Sequence, residues 1–236
     1  MDIVRKIKKW VEDKDKSKDK NKFNHLLMVA EKIYLNNPRS LPDFVNLILR
    51  PLQAEFNIAV AEKGTNAIQN VNCSLLFGKF IHNYLWDDNN LRAVQLEPSK
   101  YTVSLNYHIV LPRAWDLDRY IDNLSSIGKR KNNVPWVQDY NHDVEVWLPW
   151  GLVFVNGGNH SIMTGIVASE GKLIPESVCD YSYLLDEIYT DGVYWFDQNS
   201  KNILSKVVNY RIAAVFEIGR LMKKSNCSAD IFMVKV

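Results

Sequence analysis

The chain has 236 residues, 47% of them hydrophobic and 24% charged, with 29 Lys and Arg against 27 Asp and Glu. That profile excludes a disordered polymer, a collagen-like repeat and a disulfide-stapled miniprotein, and leaves a soluble globular protein of one large domain, or two small ones sharing a core. No apolar run approaches the roughly 18–20 residues that span a bilayer, no apolar segment follows the basic N-terminus, and three distant cysteines (Cys73, Cys179, Cys227) suit a reducing compartment, so the expected location is cytoplasmic with no membrane partner.

Residues 1–22 hold nine Lys and Arg against five acids, which gives this tail +4 and leaves −2 for the rest. A body that gripped duplex DNA would carry a basic excess, because phosphate neutralisation drives that affinity. The tail is therefore read either as a contact for nucleic acid or an anionic surface, or as a solvated, partly disordered leader. Ile3, Val4, Ile7, Trp10 and Val11 recur at helical spacing, whereas Glu12–Lys22 has no apolar residue and reads as a linker. Phe23 to Leu35 places Leu26, Leu27, Ala30, Ile33 and Tyr34 on one helical face, ended by Asn36-Asn37-Pro38. A second helix is expected from Leu41 to about Ala61, interrupted near Pro51, and a third from about Ala67 to Leu85.

After Leu91 the pattern changes. Ala93–Leu96 and Val103–Leu111 read as strands and Trp115 to Ile127 as a helix with Leu117, Tyr120, Ile121 and Leu124 inward and Gly128 just past its end. A polar loop from Lys129 to His142 precedes the alternating strand Val144–Leu148 and the apolar strand Gly151–Val155. Asn156-Gly157-Gly158 is a turn before a helix over Ser161–Ser169. Gly192–Phe196 suggests a strand, Ile203–Lys224 a long helix and Ile231–Val236 a last strand. The expected class is α+β, with a helical N-terminal half on a small mixed sheet, organised as the leader 1–22, a helical subdomain 23–90 and an α+β core 91–236.

The chemistry concentrates in residues 108–170. Gly157-Gly158-Asn159-His160-Ser161 opens a helix; a glycine pair lets a ligand approach the backbone, and the first helical amides with the helix dipole favour an anion. Asn159 and His160 would present side chains at that mouth, His160 as a donor to phosphate or in proton transfer; Ser161 is a candidate N-cap. The bland alternative is a tight strand-to-helix turn with a structural histidine. Asp139, Asn141 and His142 form a second polar cluster, readable as a general base, as metal ligands or as an Asp/Asn-rich turn; no His-x-x-x-His spacing supports a metal. Asp116 and Asp118 are two apart and would point to different helix faces. Trp115, Trp136, Trp147 and Trp150 fall within 36 residues, as walls of a groove or as core, with Trp150 singled out because it starts the strand that delivers Gly157.

The segments Trp115–Gly128 and Val153–Ile162 resemble the ParB/sulfiredoxin-like superfamily, in which a helix ending in glycine is followed by a strand and a Gly-Gly-x-His turn heading a helix. The likeness covers about a quarter of the chain. A pairing of Trp147-Leu148-Pro149-Trp150-Gly151 with the Gly-Gly-Asn-His-Ser turn also looks like a bacterial family of unknown function. The resemblance implies a phosphate or nucleotide site, with or without magnesium, bound by Gly157, Gly158, Asn159, His160 and Ser161, and a nucleotide-dependent enzyme in which His160 and Asp139 act. Asn159 stands where sulfiredoxins carry a reactive cysteine, which removes sulfinic acid reduction. Ser161 stands where the superfamily has a phosphate-gripping arginine, for which Arg113 and Arg119 are the candidate substitutes. The alternative is a catalytically inactive module of this fold that binds a protein or a nucleic acid.

Overall fold

A computed structural model describes residues 2–66, 70–88, 90–131, 133–227 and 232, with side chains described from residue 18 onward. The class is α+β. Five longer helices are α1 (Asp2–Asn36), α2 (Leu41–Lys63), α3 (Leu117–Ser126), α4 (Asn159–Ala168) and α5 (Tyr210–Ser225). The main sheet has strands β1 (Val94–Leu96), β2 (Ile109–Leu111), β3 (Val144–Leu148), β4 (Leu152–Val155) and β5 (Ser177–Asp180), in the order β1-β5-β3-β4-β2. β3 and β4 form an antiparallel hairpin, Trp147 facing Leu152. β5 runs parallel to β3, β2 runs parallel to β4, and β1 closes the other edge antiparallel to β5.

Strands β2, β3 and β4 alternate strictly and are covered on both faces, whereas the edge strand β1 is largely exposed. Ile109, Leu111, Trp147, Leu152, Phe154 and Cys179 face a large core shared with α1, α2 and α5. Val110, Val144, Val146, Val153, Val155 and Val178 face a smaller core with Ile162 of α4 and Trp136. Helix α5 buries Ile212 to Phe216, Ile218, Gly219 and Met222, almost its full circumference, as a helix sandwiched between others must. Trp150, in the β3–β4 turn, stacks on Phe216 at 5.2 Å and donates its indole N–H to the Phe216 carbonyl at 3.1 Å. Gly219 provides the space: a Cβ there would stand 2.3 Å from Trp150 Nε1.

The edge strand β2 is protected from outside by α2, where Gln53 donates to the Val110 carbonyl at 2.7 Å and Arg50 to the Tyr107 carbonyl at 2.6 Å. A small antiparallel meander of Ile188–Thr190, Tyr194–Asp197 and Ile203–Lys206 flanks the helical core.

Several elements differ from the sequence expectation. Helix α1 runs through Glu12–Lys22, the stretch read as a linker; five of its eleven residues are Lys, a good helix former that needs no apolar neighbour. Its end is tied to the body, Lys20 pairing with Asp191 at 3.2 Å and Lys22 lying 4.8 Å over the Tyr210 ring. Pro51 sits inside α2 without ending it; it is exposed, as is Leu47, whose carbonyl loses its intrahelical partner there. The third expected helix is broken at Gly78, φ +111°, into Cys73–Phe77, a 3-10 turn and His82–Leu85, and its expected start at Ala67 lies outside the described residues. Val103–Leu111 divides into Val103–Ser104 and β2, because Tyr107 and His108 both donate their amides to the Ser104 carbonyl in a turn. Ile203–Lys224 is a strand and then α5: Ile203–Lys206 pairs with Tyr194–Asp197 across the turn at Asp197, and Asn209 caps α5 by accepting the Arg211 amide at 2.8 Å. Ile121 is exposed rather than inward. The expected Ile231–Val236 strand lies outside the described residues except for Phe232, a buried turn residue.

Candidate functional site

Strand β4 delivers Asn156-Gly157-Gly158 to α4, and the turn is held by the loop before β3. The Asn156 and Gly157 amides donate to the Asp143 carbonyl at 3.0 and 3.1 Å. Both glycines are required by that loop. A Cβ on Gly157 would lie 2.4 Å from the Asn141 carbonyl oxygen, and one on Gly158, at φ +75°, would lie 2.4 Å from His142 Cδ2. The room made by the missing side chains is thus filled by the protein itself. Gly158 is also the residue before α4 and offers no capping side chain, so the amides of Asn159, His160 and Ser161 have no partner among the described residues.

The polar side chains of the turn are oriented by the β2–α3 connection. Asn159 Oδ1 accepts the Arg113 amide at 2.6 Å, which leaves its Nδ2 donor without a partner among the described residues. His160 Nε2 accepts the Asp116 amide at 3.1 Å. Asp116 also caps α3, its Oδ1 accepting the Arg119 amide at 2.8 Å. Across the turn, His142 Nδ1 accepts the Asp139 amide at 2.7 Å, and its ring lies 4.7 Å from that of Trp136. Trp136 in turn donates to the Ser161 carbonyl at 2.8 Å and hydroxyl at 3.0 Å, tying the loop to α4.

Both histidines are buried, His160 being 5% and His142 6% exposed. Burial lowers both pKa values below the usual 6.5; the Arg119 charge lowers that of His160 further, while Asp139 opposes the shift at His142. Both rings are therefore neutral at pH 7. Because each neutral ring accepts a backbone amide through one nitrogen, the other nitrogen carries the proton. His160 Nδ1–H and His142 Nε2–H are donors without a partner among the described residues.

These groups enclose a cleft of about 430 Å³. Its walls are Arg119 and Asn123 of α3, Ile127 just past the end of that helix, the Asp139–His142 loop and Gly157–Ser161. The turn and the loop cluster, separate in sequence, are brought together here. The two candidate arginines are divided: Arg119 lines the cleft, whereas the Arg113 guanidinium donates to Asn70 at 2.6 Å and the Arg113 amide donates to Asn159 of the turn. Asp139 lines the cleft, with Oδ1 accepting the Asn141 amide at 2.8 Å. Of the tryptophans, Trp136 packs on His142, Trp115 meets His160 edge-on at 5.6 Å, and Trp147 and Trp150 belong to the opposite core. Among the described residues no group of three or more His, Cys, Asp or Glu side chains is placed to hold a metal.

A family model matches residues 8–229. The chain belongs to DUF6710, a family of unknown function. No curated protein and no solved structure matches it. In this DUF6710 chain the sequence reading missed Asn123, although it follows Arg119 by four and so shares its face of α3, Ile127 just past that helix, and Asp116 as the residue that orients His160.

Proposed function

We propose that the cleft binds the phosphate of a small ligand, with a nucleotide as the first class to examine. The observation that carries this reading is the uncapped start of α4 opening between two buried, neutral imidazoles whose N–H groups are unpartnered. Helix amides and dipole attract an anion, and Arg119 supplies the full positive charge that Ser161, standing in the arginine position of the resembled superfamily, does not. The resemblance to ParB/sulfiredoxin-like proteins, which rests on the Gly-Gly-x-His turn, supports the same ligand class.

The site is built for holding more than for proton transfer. The lone pairs of His160 and His142 are both engaged by backbone amides, so neither ring is a base in this arrangement. Catalysis by His160 with Asp139 would need one of those bonds to break first. The test is calorimetric titration and thermal shift with inorganic phosphate, AMP and ATP, with and without magnesium. A ligand at a hundred times its dissociation constant should add about 2.7 kcal/mol of stability. Arg119→Ala, a change at an exposed position, should weaken binding by about 10- to 100-fold, the worth of a hydrogen bond to a charged group. A wild-type protein that responds to none of these probes overturns the reading.

A further inference from the structure

Resting on that anion-binding reading, we infer that the cleft takes a terminal phosphate, a phosphomonoester, in preference to a phosphodiester. The backbone amides of Asn159, His160 and Ser161, Asn159 Nδ2, His160 Nδ1–H and His142 Nε2–H are all unpartnered among the described residues and belong to residues lining one cleft. The Arg119 guanidinium adds further donors. Against them the cleft offers a single carboxylate, Asp139, with one oxygen already accepting from Asn141.

A diester has two terminal oxygens with which to answer this set, and its two ester oxygens are weak acceptors. A monoester has three terminal oxygens. A donor that a bound ligand shuts off from water without accepting from it carries a desolvation cost, so the ligand that satisfies more of them is preferred. The walls agree: α3, the Asp139–His142 loop and the start of α4 bound the cleft on three sides, which suits a group that ends a molecule.

Asn159 makes the inference testable without disturbing the turn. In Asn159→Asp one carboxylate oxygen still accepts the Arg113 amide, while the other replaces a donor by a charged acceptor. The experiment is calorimetry with AMP, 3′,5′-cyclic AMP, adenosine and inorganic phosphate on wild type and on Asn159→Asp, with circular dichroism and a melting curve to establish that the variant folds. The expected result is binding of AMP and phosphate, cyclic AMP weaker by at least tenfold, no adenosine binding, and AMP affinity at least tenfold lower in the variant. Equal affinity for AMP and cyclic AMP overturns the monoester preference and leaves the phosphate reading standing. Adenosine binding as well as AMP, or an unchanged AMP affinity in folded Asn159→Asp, overturns the preference too. Binding of none of the four removes the phosphate reading itself.

Discussion

The two faces of the main sheet treat polar groups in opposite ways. On the helical face they are closed off within the packing: Trp150 donates to Phe216, Gln53 to Val110, Trp147 to Glu145, and Arg220 to the carbonyls of Leu185 and Ile188. Among the described residues the buried side-chain atoms left unpartnered, Asn46 Nδ2, Asn57 Oδ1 and Trp195 Nε1, are scattered over α2 and the strand Tyr194–Asp197. On the α4 face the unpartnered donors are gathered around one opening, and the side chains that carry them are held by bonds through their other atoms. Donors sealed in a core without a partner cost stability at once, whereas donors that open on a cleft stay hydrated until a ligand takes the place of the water. Gathering them while fixing their orientation is what a binding site requires and what a core avoids.

The sharpest way to test this division is to damage each side in turn. Trp150→Ala removes a fully buried tryptophan, its stack on Phe216 and its hydrogen bond, and should cost about 3–5 kcal/mol by urea unfolding, as large aromatic truncations do. Ligand affinity of the molecules that remain folded should be unchanged. Gly158→Ala acts on the other face. Its Cβ would meet His142 Cδ2 at 2.4 Å in a left-handed conformation, so about 1–3 kcal/mol should be lost to crowding and strain. Here AMP affinity should fall as well, because His142 must move. A Gly158→Ala protein that loses stability but keeps full affinity would take His142 out of the site.

Much of this frame is legible from local pattern. The period-two alternation of Val144–Leu148 and the apolar run before Gly157 each declare an element through nearest neighbours alone; the Asp116 and Asn209 caps are equally local signals, which the sequence reading passed over when it ran one helix from Ile203 to Lys224. What was hidden depends on partners far along the chain. Gly219 shows its purpose only once Trp150 lies on α5, and β5 is recognised as a strand by pairing between β1 and β3. The candidate site divides in the same manner. Its residue types were legible as two separate clusters, at Gly157–Ser161 and Asp139–His142. Their meeting, the separation of Arg119 from Arg113, and the engagement of both imidazole lone pairs by the Asp116 and Asp139 amides follow from tertiary contacts that no spacing encodes.

The imidazoles provide a further distinction between the faces, through pH. Both His142 and His160 have folded pKa values below the ordinary 6.5, with burial as the leading cause. A group whose folded pKa is depressed binds its proton more readily in the unfolded chain. Between the folded value and about 6.5 the unfolded state therefore holds more protons, and stability falls as pH falls through that window. The loss is at most about 1.4 kcal/mol per pH unit for each ring. Protonation would also put a proton on the nitrogen that now accepts a backbone amide, setting donor against donor at Asp116 and Asp139. Urea unfolding between pH 7.5 and 5.5 should show this decline, and His142→Gln and His160→Gln should each make it shallower, whereas Trp150→Phe should lower the curve without changing its slope. A slope that both histidine variants retain would assign the decline to other groups and remove the neutral imidazole pair from the account of the cleft.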